Sequence, residues 1–337
     1  MRRALTLLTA VGSITCSLGS WEGAGINLGN TLDAPHEGDW ASPAQQQFFV
    51  DYAAAGFKTV RIPVRWDEHI GTEEPFAINS TFLDRVTEVV GWALAIEDFD
   101  NIIVNSHHDD WLDTNSTDDF AAALPRFEAL WTQVAERFAQ ISNSSRLVFE
   151  IFNEPHVMTT DMLNQMNSAI VPILRSKSET RTILLGGLGW MGVWWLQCCS
   201  QDFVVDFQLP DGSNDGNLMV EIHDYSPNDF AWGSVTTWGT PQDLADMEGI
   251  FFSAASWAED HGVSLVLGEF GCITDQPNKT ARALWYENEI GFSRKYGIGP
   301  IAWDDAGYYN IYDRESRTFD QDVLRAFGLN ATNAIGA

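Results

Sequence analysis

The stretch RLVFEIFNEPH, residues 146–156, opens as an apolar run and closes on four polar or turn-forming residues, Asn153-Glu154-Pro155-His156. A short apolar run bounded by turn residues reads as a buried strand. A carboxylate at its tip, Glu154, calls for a reason and for a partner. Alternation along a strand sends Asn153 and Glu154 to opposite faces, so both can serve one site only if the strand has ended or bulged there. Pro155 has no N–H for the ladder and restricts the residue before it, which favours an ending at this point.

Seven further runs of the same kind flank this one: GINLG (25–29), KTVRIPV (58–64), NIIVNSH (101–107), RTILLGG (181–187), LMVEIHDY (218–225), SLVLGEF (264–270) and GPIAWDD (299–305). Amphipathic stretches over 80–97, 120–140, 160–177, 241–261 and 280–296 lie between them. Parallel strands need crossover connections. Eight strands alternating with helices in 337 residues predict an α/β fold, a single-domain (β/α)8 TIM barrel. No linker, low-complexity tract or second domain interrupts the pattern, so residues 21–337 are expected to form one domain. Residues 1–20 read as a signal peptide, with Arg2 and Arg3 before a short apolar stretch and then small residues, which implies secretion. No other stretch approaches the apolar length of a membrane span.

The formal charge of −28 argues against nucleic acid or an anionic membrane as a partner, because both require basic patches. It suits a neutral ligand and is compatible with a saline habitat. Sequons at Asn79, Asn115, Asn143, Asn278 and Asn330 accord with a secreted glycoprotein. Of the cysteines, Cys16 falls in the leader, and Cys272 is expected to pair with Cys198 or Cys199 or to stay a buried thiol; the four show no metal-ligand spacing.

In these barrels chemistry sits at the C-terminal ends of the strands. Those ends carry Arg61 on the second strand, His107 and His108 on the third, Asn153 and Glu154 on the fourth. His223 and Tyr225 end the sixth, Glu269 the seventh and Trp303 the eighth. Glu154 and Glu269 are remote in the chain, but the ends of strands four and seven can face each other across a barrel mouth. Carboxyls about 5–5.5 Å apart suit a retaining glycosidase, and about 6.5–9.5 Å an inverting one. Glu150, deeper in its strand, reads as a buried structural carboxylate with Arg61 as partner. Among the fourteen Trp residues, Trp40, Trp111, Trp190, Trp194, Trp195, Trp232 and Trp238 fall in loop-like or rim regions, where lining a cleft and packing in the core are equal alternatives.

GINLGNTLDA, KTVRIPVRW, NSHHDDW, FEIFNEPH, EIHDY, LGEFG and Trp303, in that order over residues 21–305, resemble glycoside hydrolase family 5, in the branch of endoglucanases that open with a GWNLGNTLDA-like motif. Here Ile26 stands where that motif carries Trp. The resemblance implies Glu154 as general acid/base, Glu269 as nucleophile and Asn153 as the hydrogen-bond partner of the sugar 2-hydroxyl. It implies that Arg61 and Tyr225 flank the nucleophile, that His107 and His223 bind or orient sugar and carboxyl groups, and that Trp303 is a stacking floor. The family pattern has one site histidine on strand three, placed here at His107, with His108 beside it as a further candidate. The implied activity is retaining endo-hydrolysis of β-1,4-glucan by a secreted monomer, with no metal or organic cofactor and the polysaccharide as sole partner. Xyloglucanase, β-mannanase and mixed-linkage glucanase are alternatives on the same fold. A glycan-binding barrel without activity predicts loss of a glutamate or of Asn153, and all three residues are present.

Overall fold

Eight short strands pair in parallel, each with the next, and the last returns to the first. They are β1 (Gly25–Asn27), β2 (Thr59–Ile62), β3 (Asn101–Asn105), β4 (Leu147–Glu150), β5 (Ile183–Gly186), β6 (Leu218–Asp224), β7 (Ser264–Phe270) and β8 (Gly299–Ala302), and they close the expected barrel. The structure is a computed structural model that describes residues 21, 23–141, 145–178, 180–196, 207–210 and 216–330. The crossover helices are α1 (Gln46–Ala55), α2 (Ser80–Leu94), α3 (Thr117–Ile141), α4 (Thr160–Lys177), α5 (Asn228–Ala231), α6 (Pro241–His261) and α7 (Lys279–Lys295). After β8 the chain forms a small hairpin of β9 (Tyr312–Asp313) and β10 (Thr318–Phe319), then α8 (Gln321–Phe327).

The helices form where the sequence places their stripes and caps. In α2, Leu83, Val86, Val89, Val90 and Ala93 are buried at helical spacing, and Asn79 accepts the backbone N–H groups of Thr81 and Phe82 at the N-terminus. Thr240 and Asp243 form a reciprocal capping box on α6, which ends at Gly262 with φ 66°, a left-handed turn that a glycine adopts without strain. Asn278 caps α7, so two sequon asparagines double as helix caps.

Strand alternation divides the interior into layers. Ile103, Val148, Leu184, Met219, Val266 and Ile301 form one apolar cluster, with Trp21 packed against it. Alternate residues such as Ile102, Val104, Leu147, Phe149, Val220 and Ile222 belong to the larger core shared with the helices. Two positions beyond the first cluster on β3, β4 and β6 stand Asn105, Glu150 and Glu221, wholly buried like Arg61 on β2. A barrel interior is a packed core of side-chain layers. In this barrel, charge sits above an apolar plug.

Trp195 and Trp238 are core residues, whereas Trp40, Trp190 and Trp232 are 46%, 54% and 56% exposed. Trp111 packs under the Arg126 guanidinium, 4.2 Å from the ring centre. The Trp194 side chain, Cys198, Cys199 and Asn143 lie outside the described residues. Cys272 is buried and forms no disulfide among the described residues. No helix among the described residues is long and apolar enough to cross a membrane.

Candidate active site

Arg61 is the hub of the polar layer. Its Nε donates to Glu150 Oε2 at 2.7 Å and its Nη2 to Glu150 Oε1 at 2.8 Å, a bidentate pair. Nη1 donates to Glu269 Oε1 at 2.6 Å and Asn27 Oδ1 at 2.9 Å, and Nη2 also donates to Asn153 Oδ1 at 2.6 Å. All five guanidinium N–H groups are thereby engaged. The structural pairing with Glu150 and the contact with Glu269 are therefore not alternatives; one side chain makes both. Burial alone would raise the Glu150 carboxyl, but Arg61 outweighs it and holds Glu150 below the ordinary glutamate value.

β4 ends at Glu150, so Asn153 and Glu154 stand beyond the pleat and both turn toward the barrel mouth. The Asn153 N–H donates to Ser106 O at 2.9 Å. Glu154 has φ 51°, a left-handed conformation that costs a residue with a Cβ about 1–3 kcal/mol and persists only where its surroundings over-determine it. Part of that support is Asp113, whose carboxylate accepts the N–H groups of His156, Val157 and Met158 at 3.0, 3.0 and 2.8 Å and so anchors the turn behind Glu154.

A second irregularity aims Glu269. Between β6 and β7 the register runs Ile222 with Leu267 and then His223 with Glu269, skipping Gly268. The extra residue lets Glu269 face inward beside His223. A Cβ on Gly268 would lie 1.6 Å from Glu221 Oε1, so the absence of a side chain there makes room for the Glu221 carboxyl.

The two carboxylates then meet around one imidazole. His223 Nδ1 is 2.8 Å from Glu154 Oε1 and 3.8 Å from Glu269 Oε2, and one side-chain atom of each of these three residues lies within 4.8 Å of the others. Below, His223 Nε2 is 3.3 Å from Glu221 Oε1. Burial opposes the charged imidazole, but Glu269, Glu154 and Glu221 outweigh it and push His223 up to about 10. Burial raises the Glu269 carboxyl, with His223 and Arg61 pulling it back and Glu154 pushing it up, for a net rise. The donors on its two oxygens, Arg61 Nη1 at 2.6 Å and Tyr225 OH at 3.0 Å, favour its ionised form.

His107 is neutral by comparison. Burial, His108, Arg61 and His223 hold it well below the usual histidine value. The Val64 N–H donates to Asn105 Oδ1 at 3.0 Å, which fixes that amide and turns its Nδ2 to His107 Nδ1 at 3.1 Å. His107 thus meets an amide nitrogen at each end, Asn105 Nδ2 at its Nδ1 and Asn153 Nδ2 3.4 Å from its Nε2. Its ring lies parallel to Trp303, with 5.9 Å between centres. His108, at φ 55°, meets the edge of Trp40 at 5.6 Å.

These groups open on a cleft of about 890 Å³. Of the nine residues expected at the site, all but Arg61 and Asn153 line it, and those two contact the lining residues Glu269 and His107. Trp190, Trp232 and Tyr309 also line it. Sequence reasoning missed Asn27, Asp113, Glu221 and Tyr309. Glu221 had a signal, since it stands two places before His223 and shares its face of β6; Tyr309 lies in a loop with none. Among the described residues, two groups bring potential metal ligands together, Glu154–His223–Glu269 and Asp33–His107–His108. The first offers a doubly protonated imidazole without a free lone pair. In the second, the Asp33 oxygens already accept N–H groups of Thr31 and Asn30 at 2.6 and 2.9 Å.

A closed (β/α)8 barrel with two carboxylates facing across its C-terminal mouth is the architecture of barrel glycosidases. The family profile described as Cellulase (glycosyl hydrolase family 5) matches residues 22–308. The chain belongs to glycosyl hydrolase family 5. It is 38% identical over 311 residues to Endoglucanase H of Acetivibrio thermocellus, covering 90% of this chain and 32% of that protein, so it spans about a third of that relative's length. It is 30% identical over 345 residues to Endoglucanase B of Clostridium cellulovorans, covering 91% of this chain and 74% of that one. A solved structure described as a GH5-4 broad specificity endoglucanase from Clostridium acetobutylicum superposes with a TM-score of 0.82 at 29% identity, over 91% of this chain and 96% of that one.

Proposed function

We propose that this chain is a secreted endo-β-1,4-glucanase acting by retaining double displacement. The observation that carries the reading is the approach of Glu154 and Glu269 on either side of His223, with side-chain atoms within 4.8 Å, on the short side of the spacing that separates retention from inversion. Glu154 donates its proton to the glycosidic oxygen as the C1–O bond breaks. A Glu269 oxygen bonds to C1, forming a glycosyl ester. Glu154, now ionised, takes a proton from water, and that water displaces Glu269 with the configuration at C1 restored. Arg61 and Tyr225 hold Glu269 ionised, and its buried setting leaves it a more basic carboxylate than one in water. Asn153, with its oxygen held by Arg61, presents its amide toward the sugar 2-hydroxyl.

Endo action accords with an open cleft. The names of the relatives support a glucan as the substrate, and a solved structure described as an endo-beta-1,4-glucanase from Bacillus licheniformis, 32% identical over 93% of this chain, supports the β-1,4 linkage. The words "broad specificity" in the Clostridium acetobutylicum structure support a second reading in which mixed-linkage glucan, xyloglucan or mannan is also cut. Products from carboxymethylcellulose, lichenan, xyloglucan and mannan separate these readings.

Glu154→Gln and Glu269→Gln each remove one chemical role and are expected to lower kcat on soluble β-glucan by about 10³-fold or more, given that a general acid alone supplies 10²–10⁴. Turnover near wild type in either variant overturns the reading. Glycan binding by calorimetry with no product after long incubation replaces it with a non-catalytic barrel.

A further inference from the structure

We propose that Glu221 is a positioning residue of this site. From inside the barrel it accepts the Nε2 proton of His223, so that the Nδ1 proton is presented to Glu154 and the acid/base carboxyl is held in line with the bond to be cleaved. The proposal rests on the double-displacement reading above.

Glu221 is wholly buried, and its carboxylate is not used by any step of that reaction. It stands on β6 two residues before His223, on the same face of the strand. Its Oε1 lies 3.3 Å from both Arg61 Nε and His223 Nε2. Every Arg61 proton is already directed at Glu150, Glu269, Asn27 or Asn153, which leaves His223 Nε2 as the donor to Glu221. Oε2 has no partner, so the carboxyl is held through a single oxygen. Room for it exists because residue 268 has no side chain.

The charges around the pair favour the same arrangement. Arg61 faces it from β2, His107 from the end of β3, and Glu150 and Glu154 from β4 and its extension. Glu269 faces it from β7, and Tyr225 follows on β6's own exit. Burial and Glu150 raise Glu221 to about 7, with Arg61 and His223 pulling the other way. His223, raised to about 10, keeps a proton on each nitrogen through the neutral range. An imidazole with two protons and a carboxyl oxygen accepting at each end cannot turn without losing one of them. Its orientation, and with it that of Glu154, is fixed by Glu221.

The test separates positioning from mere packing through the leaving group. An aryl cellobioside with a dinitrophenolate leaving group departs without protonation, so its kcat/KM does not depend on Glu154 as an acid, whereas that of cellotetraose does. In Glu221→Leu, which removes the acceptor, kcat/KM on cellotetraose is expected to fall about 10- to 100-fold, part of what general acid catalysis supplies, with the aryl substrate retained. In Glu221→Gln, which keeps an acceptor oxygen and loses the charge, the fall in kcat/KM on cellotetraose is smaller than in Glu221→Leu. The alkaline limb of its kcat/KM moves to lower pH, because the negative charge that Glu221 takes on as pH rises through about 7 is gone from beside His223. Equal losses on both substrates in a folded Glu221→Leu, or an unmoved alkaline limb in Glu221→Gln, overturn the proposal; where Glu221→Leu does not fold, the glutamine variant decides. Glu154→Gln is the control. If it shows the substrate split and Glu221→Leu does not, the proposal alone fails; if Glu154→Gln shows no split, the double-displacement reading fails and takes the proposal with it.

Discussion

Tyr225 shows how much one hydroxyl can do at the proposed nucleophile. Its OH is 3.0 Å from Glu269 Oε2, on the oxygen that Arg61 does not reach. Tyr225→Phe removes a hydrogen bond to a charged group, worth about 1.5–3 kcal/mol, without changing shape. Expressed at the transition state, that is a fall in kcat of roughly 10- to 100-fold with little change in KM, measured by steady-state kinetics on cello-oligosaccharides. Arg61 makes the opposite case, where stability is at stake before turnover. Arg61→Met leaves Glu150 and Glu269 buried without their cation, and urea unfolding at pH 7 is expected to show a loss of about 3–5 kcal/mol. At this scale the sequence was legible where a residue ended a strand, because barrel topology converts that position into a place at the mouth. It was not legible where support came from a loop. Asp113 holds the turn after Glu154 through three backbone N–H groups, and nothing in its neighbours distinguishes it from any other loop aspartate.

Among the elements, the strands and long helices follow directly from period and turn residues, and the tips do not. The run at 25–29 yields a strand of Gly25–Asn27, and the run at 146–154 ends its pairing at Glu150, because the last residues leave the ladder to build the mouth. The skipped Gly268 between β6 and β7 is invisible to an alternation rule, yet it brings Glu269 inward. Gly268→Ala forces a methyl to 1.6 Å from Glu221 Oε1, so the Glu221 carboxyl must leave its place beneath His223. The variant is expected to lose most activity while keeping the far-UV circular dichroism of the barrel. Tryptophans divide by environment rather than by position in a loop: Trp195 and Trp238 fill the core and Trp232 faces the cleft, though all three precede or follow short irregular segments. The capping box of α6 lies away from the chemistry. Thr240→Ala should lower stability by about 1 kcal/mol in thermal melts and leave kcat unchanged.

For the molecule as a whole, the buried acids set the response to pH. Burial raises Asp33, Asp224 and Asp304 to about 6, and Asp109 and Glu221 to about 7. In an unfolded chain such groups titrate near 4. Their protonated forms fit the fold, so the stability they contribute is complete below about 4 and drains away as pH rises through 6 to 7. His223, raised to about 10, adds a term of the same sign that is lost as pH climbs through that value. Glu150 and Asp51 are lowered, so their contribution is present above the ordinary carboxylate range and is lost as acid protonates them. The melting temperature is therefore expected to peak in mildly acidic solution and to be lower at pH 8 than at pH 5 by calorimetry. A formal charge of −28 adds repulsion in the same direction at high pH.

Arg61 also bears on how the chain comes together. Its acceptors Glu150 and Glu269 lie 89 and 208 positions further along. Until β7 docks, the guanidinium and the acids gathered around it lack their full set of partners and are better left hydrated, so a half-built barrel keeps water in its middle. Drying of the interior and closure of the ring then become one event. Fragments that stop short of residue 264 should collapse loosely and bind hydrophobic dyes instead of forming half of a native structure.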